Sequence, residues 1–264
     1  MFKVVECDVL VVGGGIGGPI AALAAREEGA SVVLVDKSAV RRSGGGVSGE
    51  DHLTVGPHDN ISAEDFISDQ WDFSDGLLDM DLMKVFCQNT MKGVEILGEI
   101  GLPVRNSKTG EFVWVLGMKG KKPYMLSLEG SDIKPLFDKT IRKKGVKVYQ
   151  HIMGLALLKP HNRVVGMVGW NTRSGEFVVF RSKTTVLATG HVVRMFYPQG
   201  GDLFNTWHSP YNTGDGHVMA YDTGVELVNM EIGTCNVVPK GYTTPGVTGF
   251  RGAGAVLINA LGEE

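Results

Sequence analysis

Cysteine is scarce in this chain. Cys7, Cys87 and Cys235 are its three cysteines, far apart and without Cys-x-x-Cys spacing. Thiols so placed read as reduced and buried, so no metal centre is expected of them and they fit a reducing cytoplasm. Long apolar runs are missing too. The longest are strand-sized, too short to span a bilayer, and no direct membrane insertion is expected. A leader is not expected either, because Phe2-Lys3-Val4-Val5 passes straight into a first strand. Neither sign of charge dominates: 26 Lys and Arg stand against 29 Asp and Glu, for a net charge of −3. That balance excludes the basic footprint of a nucleic-acid binder. Internal repeats and low-complexity linkers are also absent. What remains is an ordinary globular composition, 43% hydrophobic and 21% charged, in a chain of 264 residues that can bury a sizeable core.

Glycine, by contrast, is abundant at 37 residues, and much of it clusters in turns that could approach a ligand. The first cluster is the most informative. A β-branched run, Val9 to Val12, leads into Gly13-Gly14-Gly15-Ile16-Gly17-Gly18, an Ala-rich helical stretch, a second apolar run from Ser31 to Val35, and Asp36. Strand, glycine turn, helix, strand and terminal acid make a dinucleotide-binding βαβ unit. Gly13 permits the tight turn, Gly15 lets backbone approach a pyrophosphate, and Gly18 lets the helix pack closely on the strand. The first-turn N–H groups and the helix dipole hold phosphates. Asp36 is placed to accept from a ribose 2′-hydroxyl, which disfavours a 2′-phosphate cofactor. FAD and NAD both remain open at this point.

Beyond this unit, residues 39–60 carry no steady period and read as a loop that covers the cofactor. Ser62 with Asp65 opens a helix through Trp71. Met80 to Ile100 reads as a longer amphipathic helix, stopped by Gly101 and Pro103. Gly110 to Leu128 reads as a hairpin with Phe112-Val113-Trp114-Val115 as one arm and Lys119, Lys121 and Lys122 in a solvated turn. Ser131 caps a helix ending at Arg142-Lys143-Lys144-Gly145, where cations and glycine match the dipole and left-handed preferences of a C-terminus. Val146 to His151, Val164 to Asn171 and Phe177 to Arg181 follow as strands. Thr184 to Ala188 reads as another, buried strand ending on Thr189-Gly190. A helix from Gly214 to Thr223 comes last.

Several segments, taken in order, resemble one family. They are Val11 to Gly18, Val33 to Lys37, Arg42-Ser43-Gly44 through Gly49, Thr185 to Gly190, Asn212-Thr213-Gly214-Asp215-Gly216, and the tail from Ala253 to Asn259. Together they are similar to the flavoprotein subunit of the succinate dehydrogenase, fumarate reductase and adenylylsulfate reductase superfamily, over most of the chain. The resemblance implies FAD rather than NAD. It also implies an α/β, Rossmann-like FAD-binding fold with a central parallel sheet and a smaller β-rich insertion. Gly13, Gly15, Gly17 and Gly18 would hold the pyrophosphate, Asp36 the adenosine ribose, and Lys37 would lie near the adenine. Ser43, Gly44, Gly45 and Gly46 would approach the pyrophosphate and flavin ring through backbone N–H groups. Ala188, Thr189 and Gly190 form the second FAD segment, and Asp215 either closes the cofactor from the far side or caps its own helix.

Departures from the family pattern shape the rest of the reading. Covalent members carry a His after an Arg-Ser pair; here Gly44 stands there, which implies non-covalent FAD and resembles the adenylylsulfate reductase branch. The dicarboxylate-binding His that fumarate-type members carry after a Met-Glu pair is missing after Met230-Glu231. Nor does the chain carry the Arg of the adenylylsulfate branch, since Gly233 or Thr234 takes its place. Candidate catalytic groups are His52 in the Glu50-Asp51-His52 cluster, His191 beside the second FAD segment, and Arg251 as an anion-binding cation. For His52 a solvated loop, and for His191 a structural ring, stand as the alternatives. Trp207 and His208 could line the substrate face. The implied function is a cytoplasmic oxidoreductase subunit that exchanges a hydride or electron pair between FAD and a small anionic substrate, with an iron–sulfur partner handling single electrons. A non-catalytic subunit relaying electrons between partner proteins is the alternative. One FAD-binding domain is expected over residues 1–264, ending where the family's capping domain begins, as a fragment or as a chain completed by a partner.

Overall fold

The structure is a computed structural model that describes residues 3–48, 52–116, 122–129, 133–193, 195, 209–233, 256 and 258–264. Its residues gather into two compact units, one of Met1–Ser48 with Ile141–Glu264 and one of Gly49–Thr140.

The larger unit is built on a six-stranded sheet. Strand β1 (Lys3–Val12) runs into the glycine turn, and helix α1 (Gly17–Glu27) returns the chain to β2 (Val32–Asp36). All five residues of β2 are buried, as in a parallel strand covered on both faces. Helix α1 buries Gly18, Pro19, Ala22 and Leu23, a stripe at helical spacing. Strands β6 (Lys147–Gln150), β7 (Ile152–Leu157), β8 (Gly166–Asn171) and β9 (Phe177–Leu187) complete the sheet in the order β6-β2-β1-β9-β8-β7. The first four of that order are parallel, and β9, β8 and β7 form an antiparallel meander. Only His151 separates β6 from β7, which lie at opposite edges of the sheet. Helix α5 (Asp215–Asp222) lays Met219 against Gly154 of β7, where an added Cβ would sit 2.9 Å from the Met219 methyl. The core under the sheet includes Leu10, Val12, Val33, Val35, Ile152, Met167 and Phe180.

Two expectations are corrected here. The strands read at Phe177–Arg181 and Thr184–Ala188 are one strand of 11 residues, and its second half is half-exposed rather than buried. The polar stretch Ser182-Lys183-Thr184 breaks the hydrophobic pattern but not the backbone, because β1 pairs with it from Lys3↔Val178 to Val12↔Leu187. Strand β7 carried no separate expectation: a one-residue joint offers no turn signal to mark it off from β6.

The smaller unit holds a three-stranded antiparallel sheet in the order β3-β5-β4, from β3 (His52–Thr54), β4 (Val113–Val115) and β5 (Met125–Ser127). Strand β3 lies inside the stretch read as a loop; its pairing with β5, far off in the sequence, supplies an order that three residues alone do not signal. Helices α2 (Ala63–Phe73) and α3 (Met80–Glu99) each begin on a capping side chain. Ser62 accepts from the Asp65 N–H at 3.0 Å, and Asp79 from those of Asp81 and Leu82. Phe66 meets Tyr124 edge-on at 5.4 Å in the local core. Of the lysines read as a solvated turn, Lys122 pairs with Asp65 at 2.6 Å, while Lys119 and Lys121 lie outside the described residues. Helix α4 (Ile133–Lys143) ends in Arg142 and Lys143, ahead of Gly145 with φ +82°. Its expected cap, Ser131, is not among the described residues. No described helix is long and apolar enough to cross a membrane.

Candidate functional site

The glycine turn is held from two sides. The Gly13 N–H donates to the Val35 carbonyl at 2.8 Å, and the Ala188 N–H donates to the Val12 carbonyl at 2.8 Å. Gly13 has φ +110°, and a Cβ there would drive into the Ala188 carbonyl oxygen. A Cβ at Gly18 would collide with the Gly13 carbonyl, so only glycine lets α1 start this close to the turn. Gly17 is different: among the described residues nothing lies within 4 Å of an added Cβ. A Cβ added at Gly15 would stand 3.8 Å from the Gly44 Cα, an ordinary contact. Among the described residues no side chain caps α1, and no acid stands in its first turn. The turn thus leads into a helix N-terminus, where dipole and N–H groups favour an anion.

Asp36 closes the second end of this cradle. It is buried, and its two carboxylate oxygens accept from the Gly14 and Ser38 N–H groups, each at 2.6 Å. Next to it, the Lys37 ammonium donates to Asp215 at 2.6 Å, to the Tyr211 carbonyl at 2.6 Å and to Thr213 Oγ1 at 3.2 Å. Asp215 does not cap α5. That position belongs to Gly214 with φ +83°, and the Asp215 carboxylate instead accepts from Lys37 and from Thr213 Oγ1 at 2.8 Å. The pair joins two chain segments that line the same cavity. Its side chains remain 33% and 22% exposed, so solvent screens it. Lys37→Ala, Asp215→Ala and the double variant, compared by urea unfolding, should show a coupling of about 0.5–1 kcal/mol. Strictly additive single losses would rule the pair out as a stabilising contact.

These segments surround a cavity of about 1000 Å³ within the larger unit. Gly13, Gly15, Gly17, Asp36, Lys37, Ser43, Gly44, Gly45, Ala188, Thr189, Gly190, His191 and Asp215 all line it. Gly18 and Gly46 do not: the first packs beneath the turn, and the second is buried. Gly44 has φ +78°, and a Cβ there would stand 2.7 Å from the Gly15 Cα. At Gly190, with φ +75°, nothing among the described residues lies within 4 Å of an added Cβ. His52 is exposed on β3 of the smaller unit, in register with Ser127. Arg251, Glu50, Asp51, Trp207, His208, Thr234 and Cys235 lie outside the described residues. Cys7 and Cys87 are free thiols, both pushed above the usual thiol range by burial. Among the described residues no group of His, Cys, Asp and Glu is placed to hold a metal ion.

The cavity also draws on residues that sequence reasoning passed over: Arg42, the stretch 151–154, and Thr172 with Arg173. Arg42 had a signal, since it opens the Arg-Ser-Gly segment. The others had none. They reach the site through sheet pairing rather than through any local pattern.

A family profile described as FAD binding domain matches residues 8–264, nearly the whole chain. The chain belongs to the FAD binding domain family. Among its relatives is the 8-methylmenaquinol:fumarate reductase flavoprotein subunit of Wolinella succinogenes, 29% identical over 98% of this chain and 42% of that protein. Adenylylsulfate reductase subunit alpha of Megalodesulfovibrio gigas is 26% identical over 85% of this chain and 38% of its own length. The solved adenylylsulfate reductase of Archaeoglobus fulgidus superposes with a TM-score of 0.72 at 28% identity, covering 84% of this chain and 36% of that one. The chain thus spans less than half the length of these relatives. Family membership makes FAD the cofactor, and the geometry fits it. A diphosphate needs an uncapped helix start beside glycines whose missing side chains leave room, and Gly15 and Gly17 provide that opening. A ribose needs an acceptor at the end of β2, where Asp36 stands.

Proposed function

We propose that the chain is the FAD-binding part of an oxidoreductase that acts on a small anionic substrate and exchanges electrons with an iron–sulfur partner. When bound, FAD supplies two-electron chemistry toward a substrate and one-electron chemistry toward such a partner. The observation that carries the reading is the convergence of the glycine turn, Asp36, the Ser43-Gly44-Gly45 segment, Ala188–His191 and Asp215 on one cavity. The relatives support the coarser part, being subunits of fumarate reductase and adenylylsulfate reductase. In this reading the start of α1 at Gly17 presents backbone N–H groups and the helix dipole to the diphosphate. Asp36 keeps lone pairs for a ribose hydroxyl beyond the two N–H groups it already accepts from. The Lys37–Asp215 pair holds two segments of the cavity wall together. His191, on the lining of the cavity, is the candidate for moving a proton. The free thiols Cys7 and Cys87 agree with a reducing cytoplasm.

FAD is held without a covalent bond in this proposal. Gly44 supports that: the place where covalent relatives carry a tethering His has a positive φ, with the Gly15 Cα 2.7 Å from any Cβ. A His there would be strained and would push the glycine turn away. The test is acid precipitation of the purified protein. The flavin band is expected in the supernatant; retention in the pellet would show a covalent bond, and a colourless protein that takes up no added FAD would overturn the site itself. Dye-coupled turnover with fumarate, or with sulfite plus AMP, then separates an enzyme from an electron relay.

A further inference from the structure

The cavity continues past Asp36 to a wall that the glycine turn and the acid do not explain. Its course follows from the sheet. Asp36 is in register with Gln150 of β6, so His151 is the next residue beyond the acid's partner strand. His151 takes φ +60°, unusual for a residue with a side chain, and is held there from both sides. Its N–H donates to the Ser38 carbonyl at 2.9 Å, and its carbonyl accepts from the Thr172 N–H at 2.8 Å. The chain of bonds Ser38–His151–Thr172 thus leads from the end of β2 to the β8–β9 turn. Arg173 follows on that turn and lines the cavity.

A nucleotide is connected in the order phosphate, ribose, base. With the phosphates at the glycine turn and the ribose at Asp36, the base falls against the wall of His151, Thr172 and Arg173. The flavin half runs the other way, toward Gly44 and Ala188–Gly190. Among the cations of the cavity, Lys37 is already committed to Asp215. Arg42 stands beside the Ser43-Gly44 segment, at the flavin end. Arg173 has no side-chain partner among the described residues, and its turn does not depend on its side chain. The Asn171 side-chain carbonyl holds that turn by accepting from the Arg173 and Ser174 N–H groups at 2.9 and 3.0 Å.

We infer that Arg173 recognises the adenine of FAD by laying its guanidinium plane on the base, and so adds to the preference for FAD over FMN. This rests on the FAD reading given above. Stacking of a guanidinium on an aromatic face is worth about tenfold in affinity. The test is calorimetric titration of the full chain, stripped of flavin, with FAD, ADP and FMN, using the unsubstituted protein, Arg173→Ala and Arg173→Lys. Arg173→Ala should weaken FAD and ADP about tenfold while leaving FMN within about twofold, and Arg173→Lys should restore little, because an ammonium has no planar face. Unchanged FAD and ADP affinities in Arg173→Ala would overturn the inference and leave the FAD reading standing. So would an equal loss for FMN. Full restoration by Arg173→Lys would overturn stacking in favour of a simple charge on phosphate. If the unsubstituted protein binds neither FAD nor ADP, both readings fall together.

Discussion

Gly13→Val is expected to leave the protein without FAD. Two separate costs act at this position. At φ +110° a branched side chain is strained by about 1–3 kcal/mol. Its Cβ would also occupy the space of the Ala188 carbonyl, and relieving such overpacking costs about 1–3 kcal/mol more. The backbone cannot yield freely. Gly13 donates to Val35, and Ala188 donates to Val12, so any shift moves the ends of β2 and β9 together. Those ends lead to Asp36 and to Ala188–Gly190, which line the cavity. A distortion of about 3 kcal/mol expressed in binding is a loss of roughly two orders of magnitude. Flavin fluorescence titration measures it, and circular dichroism reports whether the sheet persists. Gly93→Ala in α3 is the control. Among the described residues nothing lies within 4 Å of its added Cβ, and its φ is not in the left-handed region, so it should leave affinity unchanged and stabilise slightly. Near-normal FAD affinity in Gly13→Val would contradict the assignment of the turn to the cofactor.

The second large effect is Phe180→Ala. Phe180 is fully buried at the centre of the sheet's core, edge-on to Tyr149 with ring centroids 5.4 Å apart. Its neighbours are fixed from both sides. A Cβ added to Gly169 of β8 would stand 3.3 Å from the Phe180 ring, and Gly166 lies so close that a Cβ there would strike the Phe180 carbonyl. A void made here has little chance to close, which places the loss at about 3–5 kcal/mol. Against a typical stability of about 5–15 kcal/mol this is a large fraction. The urea midpoint should fall by about 1 M or more. Phe177→Ala on the same strand removes the same ring from a position that is 46% exposed, and should cost under about 1 kcal/mol. Equal midpoint shifts for the two variants would show that the core is not centred where the structure puts it.

These two residues differ in how far they could be read in advance. Gly13 was legible because its reason is local: a strand, a turn that only glycine can make, and a helix follow one another without interruption. The Ser62 cap and the first arm of the hairpin, found as β4, were legible in the same way. Phe180 sat in an expected strand, but nothing marked it as the centre of a core. That role comes from β9 being flanked by β1 on one side and β8 on the other. The division of β9 into two strands failed for the same reason, since a ladder partner carried the polar residues through. Strand β7 escaped notice because its separation from β6 consists of one His with a positive φ.

By itself the sequence determined the βαβ unit and the acid at the end of β2, a dinucleotide site open to FAD or NAD; the choice of FAD came from the family. Steric freedom at glycine, helix-start chemistry and strand periodicity all act over a few residues, and each leaves its mark in the order of residue types. Only the tertiary structure decided that Asp215 answers Lys37, 178 positions away, instead of capping its own helix. It alone brought Gly44 against Gly15 and Arg173 to the cavity. Those outcomes depend on which strands pair and in what register, and pairing across long separations is set by burial of the whole sheet rather than by any local preference.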